Sequence, residues 1–129
     1  MKKIVQISFS MKTGLKMEEL KSKLINLKSK LIEEFGDDGY ELRSCHLSRK
    51  LCIEHGLNTA VPDMFEEIYG DKYVCELTED TYASAIANIN THRKTLSMKA
   101  DKLVILSNDS ISNVALELQL FTDNKVAII

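Results

Sequence analysis

The opening of the chain most limits what it can fold into. A β-branched apolar run, "IVQISF" at 4–9, precedes Gly14 and a long segment with a helical period. In that segment Met17, Leu20, Leu24, Leu27, Leu31 and Phe35 recur at steps of three and four. The spacing makes one apolar stripe, with Lys16, Lys21, Lys23, Lys28 and Lys30 mostly elsewhere. Gly36 and "GDDG" end the helix, and "YELRSCHL" reads as a second strand. Strand, long helix and strand joined by short turns form a right-handed βαβ unit with parallel strands.

The alternation continues, less legibly. The stretch 48–80 holds the only proline, Pro62. Within it "PDMFEEIYG" reads as one short helix and "KYVCEL" as a short strand. "TEDTY" predicts a helix start, with Thr78 as N-cap and Asp80 and Thr81 in the first turn. That helix extends to about Lys99, with Tyr82, Ile86, Ile89, Leu96 and Met98 as its apolar positions. "DKLVILSN" is the clearest strand, and "DSISN", a helix "VALELQLF", a turn "TDN" and a strand "KVAII" follow it. The strands are apolar without polar alternation, which predicts a parallel sheet covered on both faces. The expected fold is a three-layer α/β domain, Rossmann-like (flavodoxin-like), with a mainly parallel sheet of about four or five strands. Residues 1–129 have the length of a single domain.

Charged residues make up 28 % of the chain and nearly balance at a net −2, which argues against nucleic acid or a membrane surface as a partner. No apolar run approaches the ~20 residues of a membrane span. "MKKIVQISFSM" runs directly into "LKMEELKSKL" without a small-residue cleavage site, so a cytosolic (cytoplasmic) start is expected. Three cysteines, Cys45, Cys52 and Cys75, are an odd number without a framework spacing and read as reduced thiols. Cys45, His46, Cys52 and His55 are four ligand types for zinc, but their spacing matches no common finger or ribbon. No metal and no cofactor is expected, since no Gly-rich phosphate loop, Ser/His/Asp constellation or H-E-x-x-H occurs.

In a parallel sheet, ligands collect outside the carboxyl ends of the strands. The segments there are "SFSMKTG", "CHLSRK" and "SNDSISN". Arg49 and Lys50 are candidates for a ribose or its phosphate, against a plain solvated loop. Glu117 stands out because Val114, Ala115, Leu116, Leu118 and Leu120 surround it in a helix apolar almost all round. A carboxylate held partly out of water there has a raised pKa or a specific partner, and can act as nucleophile or base. From the pattern alone, a narrow polar stripe facing solvent is the favoured explanation.

The segment "ADKLVILSNDSISNVALELQLFTDNKVAII" resembles the nucleoside 2-deoxyribosyltransferase-like superfamily, with Ala100-Asp101 and Glu117-Leu118 at the matching places. "QISFSMKTG", the long helix and "GYEL" are similar to its small phage and bacterial members, which open "YISYPM-x-G". The resemblance implies a carboxylate, here Glu117, that attacks C1′ of a nucleoside and displaces the base, followed by attack of a second base or water. It also implies that Ser8, Phe9, Ser10 and Met11 hold the base. Asn108, Asp109, Ser110, Ser112 and Asn113 would then meet sugar hydroxyls or phosphate, with Asp109 suited to a ribose hydroxyl. The chain departs from the pattern at Gln6, in place of tyrosine, and at Asn113 and Ala115, in place of glycines. Where a second catalytic aspartate is expected it has Asn90, His92 and Arg93. His92 is a candidate substitute for that acid, and Arg93 has the planar fork that suits a phosphate. These departures keep a second reading open, a module that binds a nucleotide or nucleotide signal without turnover, and a third, an interaction protein. The family's oligomers, together with a chain that ends on a strand, imply at least a homodimer.

Overall fold

The computed structural model describes residues 2–9 and 15–106, and residues 125–128 through their backbone. Its elements are β1 (Lys3–Phe9), α1 (Met17–Phe35), β2 (Tyr40–Ser44), α2 (Arg49–Glu54), α3 (Ala60–Tyr69), β3 (Tyr73–Cys75), α4 (Tyr82–Lys99), β4 (Lys102–Leu106) and β5 (Lys125–Ile128). A single 3-10 turn, Gly70–Lys72, joins α3 to β3. The strands form one sheet in the order β3-β2-β1-β4-β5, and every neighbouring pair is parallel. This is the Rossmann-like α/β arrangement expected from the sequence. The chain walks outward from β1 to β3, then crosses back to lay β4 on the other side of β1. With right-handed crossovers, that reversal sends the later helix to the opposite face.

The two faces differ in chemistry. On one, α1 and α3 pack over Val5 and Ile7 of β1, Tyr40 and Leu42 of β2, and Val104 and Leu106 of β4. The predicted stripe of α1 is what it buries: Leu20, Leu24, Leu27 and Leu31 are almost wholly enclosed, each contributing about 2 kcal/mol. Polar ties run along the same seam. The Tyr69 hydroxyl donates to the Leu24 carbonyl, and Lys28 Nζ donates to that of Ile68, both at 2.7 Å. On the opposite face α4 buries only Ala85 and Leu96, and leaves Ile86 and Met98 exposed.

The expected helix start at Thr78 is corrected by three residues. Thr81 caps α4, accepting from the Ser84 amide, because the preceding loop is engaged elsewhere. Helix α2, inside the least legible stretch, starts at the Ser48 cap, whose hydroxyl accepts from the Leu51 amide. The helix around Pro62 begins at Ala60, which leaves proline in the first turn, where it needs no amide partner. Asp101 ties β4 to β1 at the amino end of the sheet: its carboxylate accepts from the Ile4 amide, and its own amide donates to the Ile4 carbonyl, each at 2.8 Å. Among the described residues no helix is long and apolar enough to cross a membrane.

The turn into β2 is set by close approach. A Cβ on Gly39 would lie 1.8 Å from the Phe35 carbonyl oxygen, and the Gly39 carbonyl accepts from the Lys3 amide to seat β1 beside β2. Gly39→Ala is therefore expected to destabilise the domain by roughly 1–3 kcal/mol. Gly56→Ala, where a Cβ meets open space but φ is +66°, separates backbone strain from this collision. Urea denaturation of the two variants checks the prediction; an unchanged midpoint for Gly39→Ala contradicts it.

Candidate functional site

In the order β3-β2-β1-β4-β5 the direction of winding reverses between β1 and β4, and the crevice outside their carboxyl ends is the place where such sheets bind ligands. β1 ends there with Ser8 and Phe9, which point to opposite faces because strand neighbours alternate. Ser8 faces α4, where Arg93 Nη2 approaches its hydroxyl oxygen at 3.4 Å. Phe9 faces the other way, stacked on Phe65 with ring centroids 5.8 Å apart and tilted against His46. Of the expected contact residues, the structure thus brings Ser8, Arg93 and His92 to the α4 face and places Phe9 in the core beneath α3. Glu117, Asp109, Ser10, Met11, Asn108, Ser110, Ser112 and Asn113 lie outside the described residues.

The α4 face of the sheet is unusually polar. Strand register sets Gln6 beside Arg43 on one side and Leu103 on the other. Gln6 is 2 % exposed, yet among the described residues its Oε1 finds no hydrogen-bond partner, and neither does the buried Nε of Arg43. The rest of the Arg43 guanidinium is engaged, Nη1 with Glu76 at 2.8 Å and Nη2 with Glu41 at 3.2 Å. Lys99 of α4 approaches the same Glu76 carboxylate at 3.8 Å. From the loop after β3, Glu79 Oε1 meets His92 Nε2 at 2.5 Å. The hydrogen bond from His92 holds Glu79 below the usual carboxylate range. Cys45, just past β2, lies within the charge field of Glu76, Arg93 and Glu79, but burial dominates and its thiol is pushed up to about 12. That thiol is unsuited to nucleophilic work.

A second polar cluster sits on the α3 side. Ser44 Oγ is 2.7 Å from His46 Nδ1 and 3.0 Å from the Tyr73 hydroxyl, which in turn is 2.7 Å from His46 Nε2. Phe65 and the stacked Tyr73 ring enclose the imidazole. Burial pushes His46 down to about 4, so it is neutral near pH 7. Ser44 is 1 % exposed, so this serine–histidine contact is a closed structural network and not a nucleophile.

The remaining sequence candidates also find places. Arg49 pairs with Asp63 across α2 and α3 at 3.2 Å, and Lys50 is exposed beside it. The three cysteines are free thiols. Cys45 and Cys75 pack around Leu51, Leu77 and Ala85, while the His55 ring lies against Tyr82. Among the described residues no group of three or more His, Cys, Asp and Glu side chains could hold a metal ion. Sequence reasoning missed Glu79, Ser44 and Tyr73. The glutamate and its histidine are thirteen residues apart, and His46 and Tyr73 twenty-seven, so no local period signals either pair. Compared with family models, curated proteins and solved structures, the chain matches none.

The buried imidazole gives a prediction with a definite sign. Its folded pKa of about 4 lies below the ordinary value of 6.5, so the unfolded chain takes the proton first as pH falls. The stability from the neutral ring is fully present above pH 6.5 and is lost toward pH 4, by at most about 3 kcal/mol. Urea midpoints of wild type and His46→Asn across this range check it. The wild type should lose more stability on acidification than the variant; parallel curves contradict the assignment.

Proposed function

We propose that the protein binds a nucleoside or nucleotide at the crevice between the carboxyl ends of β1 and β4 and breaks or exchanges its N-glycosidic bond. Glu117 is the nucleophile in this reading, and Asp109 positions the sugar. The observation that supports it is the meeting of Ser8 and Arg93 at the point where the strand order reverses. In this reading the α4 guanidinium meets a ligand phosphate and the β1 hydroxyl meets the ligand's polar edge. Ser10, Met11, Asn108, Ser110, Ser112 and Asn113 complete the contact set, and His92 stands beside Arg93 on α4. The ligand-bound protein is read as a cytoplasmic homo-oligomer, at least a dimer.

A second reading, retention of a nucleotide without turnover, draws on Gln6. A buried amide occupies the position of the tyrosine in the resembling family, so the first strand offers a different surface to a base. Base release from a panel of nucleosides, deoxynucleosides and nucleotides, followed by chromatography, distinguishes the two. Release is expected from the wild type, and Glu117→Gln should lose it by a factor of 10³ or more, on the order of a missing catalytic nucleophile. Arg93→Ala should raise KM at least about tenfold for phosphorylated substrates and leave unphosphorylated ones nearly unchanged. Thermal stabilisation by a nucleotide recovered intact establishes the binder instead. Neither response overturns both readings.

A further inference from the structure

We infer that the outer face of α4 is where a second copy of this chain docks, antiparallel about a two-fold axis at Ala87. This names the surface for the homo-oligomer of the proposed reading and does not depend on the glycosidic chemistry. Ala83, Ala87, Asn90, Lys94 and Met98 are all exposed, and they recur along α4 at helical spacing, so they share one stripe. Ile86 lies beside it, 45 % exposed, and Met98 is 87 % exposed. A surface helix normally turns charge outward. Helix α4 has no carboxylate from Tyr82 to Lys99, and its exposed side carries no charge from Ala83 to Thr91. The exposed isoleucine of α1, Ile25, differs, since Lys21 and Lys28 lie one turn to either side of it.

Charge decides what fits the face. Asp80, just ahead of the Thr81 cap, and Lys94 are both exposed, and they flank Ala87 at equal distances in sequence, about two turns away. When two copies of α4 cross antiparallel at Ala87, Asp80 of each meets Lys94 of the partner subunit, and symmetry makes the contact twice. In the same register Asn90 faces Ser84 of the partner subunit, amide to hydroxyl, and the two Ile86 side chains flank the axis. Alanine at the crossing lets the helix axes approach to about 8 Å. Antiparallel helices also set the positive end of each macrodipole beside the negative end of the other. A polyanion or an anionic lipid surface would be attracted by Lys94 and repelled by Asp80, whereas a second copy meets both signs with their complements. His92 and Arg93 take no part, being engaged with Glu79 and Ser8.

Sedimentation equilibrium of the full chain tests the interface and its register. The wild type is expected to dimerise at micromolar concentration. Ala87→Glu sets two carboxylates at the axis and should raise the dimer dissociation constant by about 10²-fold or more. Asp80→Lys and Lys94→Glu should each raise it by about threefold or more, and the double variant should return it close to the wild-type value, because the pair is re-formed with its signs exchanged. Both residues are exposed, so these variants keep the test decisive if Ala87→Glu fails to fold. A dimer indifferent to Ala87→Glu, or a double variant no tighter than the single ones, overturns the inference. A wild type that stays monomeric leaves the face to another occupant and overturns it too, while base release still tests the glycosidic reading separately.

Discussion

The domain depends on an asymmetry in how its sheet is covered. One face is sealed by leucine: the stripe of α1 meets β1, β2 and β4 with almost no exposed apolar surface. The other face is covered by a helix that buries Ala85 and Leu96, packs Ile89 partly, and is tied by charge and hydrogen bonds, Arg93 to Ser8, His92 to Glu79 and Lys99 to Glu76. Apolar packing on the first face is non-directional and supplies stability. The polar contacts on the second contribute less net free energy, but each fixes a named side chain in a stated place. A fold that secures its stability on one side can keep chemically active groups on the other.

That division also explains the unsatisfied atoms. Gln6 and Arg43 lie in register on the polar face, and among the described residues the oxygen of one and an N–H of the other find no partner. Polar groups enclosed without partners are costly, and proteins keep them where water or a ligand completes the set. Across the sheet, the Ser44–His46–Tyr73 network shows the opposite solution, with the polar groups satisfying one another under a lid of aromatic rings. The two clusters sit on opposite faces of the same sheet, and the closed one has no opening to solvent at its serine.

How much of this the sequence displayed follows from the range of each signal. The α1 stripe, the first two strands and "KLVIL" were legible because hydrophobic period is local and α1 is long enough to repeat it. Helix α2 is only six residues, too short to show a period, and α4 was legible only in outline because it buries few side chains. The ends of "TEDTY" illustrate the limit: both Thr78 and Thr81 have a capping hydroxyl, and only the tertiary bond of Glu79 to His92 shows why the helix starts at the second. Ser8, His92 and Arg93 could be singled out as candidates from the sequence. Their convergence, and the part Glu79 plays in it, required the strand order.

The central claim is that a ligand meets the α4 face at the reversal point of the sheet. Amide hydrogen exchange with and without 5′-deoxynucleoside monophosphates measures this directly, since a ligand slows exchange where it rigidifies the chain. The account predicts slower exchange in the segment of α4 around His92 and Arg93 and at the end of β1 around Ser8, with α1 and α3 unchanged. Protection confined to α1 or α3, or none at saturating nucleotide, contradicts it.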